Sequence, residues 1–146
     1  MIYTEDFIRY SNVISKKYAF YYEEAPKVLA DFKKELEALK VHCKGPLFYA
    51  LLNIPSDSNV IMEYFMPVQE DYVKVPENMS FHSYYSVDHM MSILLSENFE
   101  TTTEFAYASL IEFLRQSNKT QVTPFYHVVL GENDTKFLQI KVGYCD

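Results

Sequence analysis

Two stretches of the chain repeat their apolar residues every three to four positions and therefore predict amphipathic helices. Between Glu23 and Lys40 the apolar positions are Ala25, Val28, Leu29, Phe32, Leu36 and Leu39, with Pro26 in the first turn and Glu23 and Glu24 at the positive end of the dipole. Between Thr101 and Arg115 the stripe is Phe105, Ala106, Ser109, Leu110, Phe113 and Leu114, and SNKTQ (117–121) ends it. Elsewhere runs dense in Val, Ile, Tyr and Phe predict strands. SNVISKKYAFYY (11–22) is the first. After the break at Gly45 and Pro46, LFYALLNI (47–54), the turn formers PSDSN (55–59) and VIMEYFMPV (60–68) make a hairpin. FHSYYSVDHMMSILL (81–95) supplies a further extended segment, and PFYHVVL (124–130), the turn GEND and TKFLQIKVGY (135–144) make a second hairpin. The polar stretch QEDYVKVPENM (69–79) has no periodicity, contains Pro76 and reads as a connector.

The order strand, helix, strand, strand thus occurs twice. Pro46-Leu47-Phe48-Tyr49 falls on Pro124-Phe125-Tyr126-His127, and MEYFMPV falls on LQIKVGY, with the second inter-strand turn two residues shorter. A length of 146 residues suits one domain. We therefore expect a single α+β domain over 1–146 with pseudo-repeats at about 1–72 and 77–146. Its duplicated β-α-β-β units should form one curved antiparallel sheet, with two helices on one face and a cleft on the other.

Alternation along the strands assigns the faces. Met62, Tyr64, Met66 and Val68 share one side with no polar member, as do Leu138, Ile140 and Val142 in the second half, and this is the side for helices to cover. Glu63 and its repeat-mate Gln139 then project from the opposite side, among Ile61, Phe65 and Phe137. Burying a carboxylate without a partner costs several kcal/mol or raises its pKa. A charge in that setting points to a cation or a hydrogen-bond donor as ligand; the competing reading is a surface or edge-strand charge that blocks aggregation.

Composition narrows the classes. The chain has 13 Tyr and 11 Phe, no Trp and only 3 Gly, more aromatic surface than a core of this size needs, so some of it suits a cavity or an interface. A net charge of −7 without a basic stripe disfavours direct contact with nucleic acid or an anionic membrane. The N-terminus MIYTEDFIRY lacks the basic and apolar regions of a signal peptide, and a cytoplasmic address is expected. Cys43 and Cys145 are far apart and are read as unpaired thiols. His42, His82, His89 and His127 show no ligand spacing, so no metal and no cofactor are expected. Asp88-His89 is read as a strand end and turn, since no GxSxG elbow accompanies it. Tyr107, near the start of the second helix, is kept as a secondary cleft candidate.

The doubled strand starts GPLFY and TPFYH, with the doubled strands MEYFMPV and LQIKVGY, resemble the GyrI-like effector-binding domains, which also form the drug-sensing half of multidrug-responsive transcription regulators. The resemblance implies two strand-helix-strand-strand units with a ligand cleft between the halves. It also implies an acidic residue that contacts cationic, aromatic, lipophilic ligands, with Tyr and Phe rings stacking on them. Carried onto this sequence, the candidate ligand-binding residues are Glu63, Phe65, Tyr49, Tyr85, His127, Phe137, Gln139 and Tyr107. Gln139 stands where a second carboxylate would strengthen cation binding.

Three readings follow. The first is a standalone small-molecule-binding protein, without a DNA-binding segment, that senses or sequesters an amphipathic or aromatic compound. The second is an interaction module whose concave aromatic face grips a protein partner or a second copy of the chain. The third is a weak hydrolase, since some family members resemble hydrolases that use a Glu and a Tyr; Glu63 with Tyr49 or Tyr85 would be that pair.

Overall fold

The first strand is nearly twice as long as its apolar run: in the computed structural model β1 spans Ile2–Tyr21. Glu5, Asp6 and Arg9 interrupt the hydrophobic pattern of its first half, which hides the extension from a reading by periodicity. The structure describes residues 1–53, 58–96, 99–132 and 135–146. After β1 come a short 3-10 turn at Tyr22–Glu24, α1 (Ala25–Ala38), β2 (Phe48–Leu51), β3 (Asn59–Pro67), β4 (Met79–Leu95), α2 (Phe99–Gln116), β5 (Thr120–Glu132) and β6 (Thr135–Cys145). The fold is α+β, with strand-helix-strand-strand occurring twice and antiparallel pairing between strands.

Two expectations need correction. β2 stops at Leu51 rather than running to residue 54, because Asn53 leaves the ladder and uses its side-chain amide to accept from the Ile61 N–H at 2.8 Å. Asp88 and His89 lie inside β4, not at a strand end; His89 has a left-handed backbone, φ 57°, that the strand absorbs as an irregularity. The turn expected at 55–59 falls largely outside the described residues, as do Asn133 and Asp134 of GEND.

The chain divides into two compact units, residues 10–85 and residues 1–9 with 86–146. In the first, the strand order is β1–β3–β2, with Ile14 opposite Met66 and Tyr49 opposite Tyr64. α1 lays Phe32 and Leu36 on Ile14, Val60, Met62, Tyr64 and Val68, all buried. Ions reinforce that seam: the Lys16 ammonium donates to Glu35 at 2.7 Å, and the Tyr18 hydroxyl donates to Asp31 at 2.9 Å. Burial, then the bond to Asp31 and the two negative charges, push the Tyr18 phenol well above its ordinary value.

In the second unit the order is β4–β6–β5, with Ile93 opposite Ile140 and His127 opposite Ile140 on the other side. α2 covers Met91, Leu138, Ile140 and Val142 with Ala106, Leu110 and Leu114. The apolar sets assigned by alternation are therefore the sets that the helices cover. The register repeats as well. Pro67 pairs with Val13 and Gly143 with Met90, while Phe65 pairs with Phe48 and Lys141 with Tyr126.

Candidate functional site

Strand alternation places Ser15 and Lys17 of β1, Phe48 and Ala50 of β2, and Glu63 and Phe65 of β3 on the side of their unit away from α1. Rings dominate there. Phe48 and Phe65 stack at 4.6 Å with planes 5° apart, and both are fully buried. Tyr10 stacks on Phe48 at 5.5 Å, and Tyr85 lies 4.8 Å from Phe65 and 5.8 Å from Phe48. His82 meets Tyr85 edge-on at 5.4 Å and lies 6.3 Å from Phe65. The result is a buried floor of two Phe rings with a half-buried rim of Tyr10, His82 and Tyr85.

Glu63 shares this side, two residues before Phe65, and is half-buried. Lys17 and Ala50 are its neighbours across the strand pairs, yet among the described residues the Glu63 carboxylate makes no hydrogen bond or ion pair. A partly desolvated carboxylate beside aromatic rings is suited to a cation carrying its own apolar surface, since carboxylate and ring faces both attract positive charge.

The corresponding side of the second unit is built from charge. Lys141 occupies the register position of Phe65, and its ammonium donates to Asp6 at 3.1 Å and to the Phe7 carbonyl at 2.8 Å. The Ser92 hydroxyl donates to the other Asp6 oxygen at 2.6 Å. Burial alone would raise the Asp6 pKa; the hydrogen bonds from Ser92, the Phe7 N–H and Lys141 outweigh it and hold the carboxyl below its usual range. These groups satisfy one another, which leaves little for a ligand. Gln139, the counterpart of Glu63, is half-buried nearby on β6 with Phe137.

The eight residues expected at a ligand site are distributed over both units. Glu63, Phe65 and Tyr85 belong to one aromatic face; Phe137 and Gln139 lie on the helix-free side of the other unit. Tyr49 is on the helix side of its own unit, and Tyr107 and His127 are on the helix side of theirs. Tyr49 packs on Tyr64 at 5.5 Å. Tyr107 of α2 stacks on Phe125 at 4.4 Å and bonds its hydroxyl to buried His127. Pairing decides this: Tyr49 opposes Tyr64 and His127 opposes Ile140, both covered positions. Sequence reasoning missed Tyr10, Phe48 and His82, which reach the face from three strands.

A concavity of about 390 Å³ runs along α2 between Ile2, Ala108, Ser109 and Phe113. Its one carboxylate, Glu112, is already engaged by Arg115 and Gln116, so it offers a ligand no unused charge. No three His, Cys, Asp or Glu side chains converge as metal ligands among the described residues, and no described helix is long and apolar enough to cross a membrane.

Three solved structures share the fold. The C-terminal domain of EcmrR superposes with a TM-score of 0.75 at 10% identity, covering 100% of this chain and 99% of its own. A hydrolase from Listeria innocua gives 0.55 at 10% identity, with 97% and 92% covered. SAV2435 bound to tetraphenylphosphonium gives 0.54 at 9% identity, with 97% and 93% covered. At such identities the likeness concerns the fold. No curated protein matches the chain in sequence. The match that reaches the sequence itself spans residues 9–145, and by it the chain belongs to the family described as a domain of unknown function, DUF5085.

Proposed function

We propose that this protein is a GyrI-like small-molecule-binding domain of the cytoplasm that senses or sequesters an amphipathic aromatic cation. The observation that carries the reading is Glu63: a half-buried carboxylate with no partner among the described residues, on the same side as Phe65 and its ring cluster. The half-buried rings of Tyr10 and Tyr85, seated on Phe48 and Phe65, would supply apolar contact and cation-π attraction, and Glu63 would compensate the charge. The fold is shared with SAV2435, a protein whose structure holds tetraphenylphosphonium, and with EcmrR's C-terminal domain, which supports a binding role for this architecture.

The test is calorimetry and thermal unfolding with tetraphenylphosphonium and with neutral triphenylphosphine oxide. The cation should raise the unfolding midpoint of wild type; at about 100 times its dissociation constant a ligand adds about 2.7 kcal/mol. Glu63→Gln should lose most of that stabilisation while keeping its own fold. Equal stabilisation by cation and neutral compound, or by wild type and Glu63→Gln, would sink the reading.

A further inference from the structure

Ser15 and His82 form a pair that the binding reading has not used. Ser15 is 1% exposed, and its Oγ lies 2.9 Å from His82 Nε2. Among the described residues this is the hydroxyl's one hydrogen-bond contact. Such a buried O–H needs an acceptor, and the imidazole nitrogen is the acceptor within reach. In that arrangement Nε2 carries a lone pair and the proton of a neutral ring sits on Nδ1. Protonating Nε2 would oblige it to donate to Ser15 and leave the buried O–H without its acceptor. Ser15 is also too enclosed to attack a substrate, which argues against a nucleophile-base dyad.

The other neighbours of the ring are aromatic. Phe65 of β3 and Tyr85 of β4 contact it, and Ser15 of β1 caps it. The titratable groups on this side of the unit are Tyr85, Glu63 of β3 and Lys17 of β1, which pairs opposite Glu63; among the described residues no charged side chain forms an ion pair with the imidazole. Charging His82 would therefore place a cation on the rim where a cationic guest must sit.

We propose that His82, hydrogen-bonded to the Ser15 hydroxyl, is the specificity-determining residue that admits cations to this face and expels them when it is protonated. The proposal rests on the ligand reading above and adds proton coupling to it: one proton taken up by His82 as the cation leaves. Repulsion between two unit charges on one small rim is enough for at least about a tenfold change in affinity.

Tetraphenylphosphonium affinity is measured by calorimetry from about pH 8 to about pH 5, the range in which imidazoles titrate. Wild type should weaken at least about tenfold towards acid. His82→Phe, and the double variant Ser15→Ala with His82→Phe that leaves no hydroxyl unpaired, should bind with nearly flat dependence over the same range. Nitrogen-15 spectra of wild type without ligand should show the Nδ1–H tautomer at the alkaline end, with Ser15→Ala relaxing that preference. Binding that does not change with pH, or a slope that survives in both His82 variants, overturns the gate and leaves the binding reading standing. No binding by wild type at any pH overturns the binding reading and the gate with it. An Nε2–H tautomer in wild type overturns the Ser15 argument whatever the affinities.

Discussion

The helix-free sides of the two units have one backbone frame and opposite chemistry. Phe65 and Lys141 hold the same register position, opposite Ser15 and Ser92 on one neighbour and Phe48 and Tyr126 on the other. Around Phe65 the space is filled with rings; around Lys141 it is filled by Asp6 and Ser92 in a closed hydrogen-bonded set. The helix-covered sides kept an apolar character in both units, with Met62 matched to Leu138 and Tyr64 to Ile140. The contrast is sharpest on the surface that packing against a helix does not constrain. A duplicated fold carries one ring-lined face with an unengaged carboxylate, and a second face whose charges are spent on one another.

The largest effect should come from breaking the ring side. Phe65→Ala removes a side chain that is 1% exposed and stacked on Phe48, and urea unfolding should register a loss of about 3–5 kcal/mol. The equivalent break on the polar side is Lys141→Ala, which takes the ammonium from the Phe7 carbonyl and from Asp6, leaving that carboxylate only its Ser92 and Phe7 N–H donors, and should cost about 3 kcal/mol. Converting that side to neutral groups with Lys141→Met and Asp6→Asn together should recover much of the loss. If the single and double variants unfold alike, the ion pair is not what holds this side. A smaller asymmetry sits at the next matched pair, Pro67 and Gly143. A Cβ on Gly143 would stand 2.6 Å from the Thr123 methyl, so Gly143→Ala should cost about 1–3 kcal/mol, and adding Thr123→Ser should return part of it.

The mildest test is pH. The Asp6 carboxyl is held below its ordinary value in the folded state, so its contribution is fully present above the unfolded value of about 3.9 and is lost as pH falls through the folded value. Thermal unfolding in that acid range should be less steep in pH for Asp6→Asn than for wild type, whereas Phe65→Leu should leave the slope unchanged. At the alkaline end, burial pushes the Tyr64 phenol up to about 12. Its contribution is complete below the unfolded tyrosine value of about 10 and disappears as pH rises through about 12, which phenolate absorbance in wild type and Tyr64→Phe would follow.

Periodicity alone exposed both helices and the sides they cover, because an apolar stripe must be buried whatever the rest of the fold does. It also singled out Glu63 and Phe65. It failed where a side chain's role depends on a distant partner: Ser15 meets His82 across 67 residues, Ser92 meets Asp6 across 86, and Lys141 meets Asp6 across 135. None of these leaves a local pattern. The sides taken by Tyr49 and His127 likewise follow from cross-strand partners, Tyr64 and Ile140. The charges in the first half of β1 concealed a strand because Asp6 points at a lysine rather than at water.

Asn12 and His89 each have a left-handed backbone, with φ 60° and 57°, one residue before Val13 and Met90 begin their pairing with β3 and β6. In a saturation scan these two positions should behave as one class, ranked by backbone rather than by side chain: Gly and Asp tolerated, Val and Ile selected against. The chain thus carries two punctuation marks whose meaning is geometric. A lineage could rewrite every contact on the helix-free sides, as the two halves here have done, and still be recognised by where those marks fall.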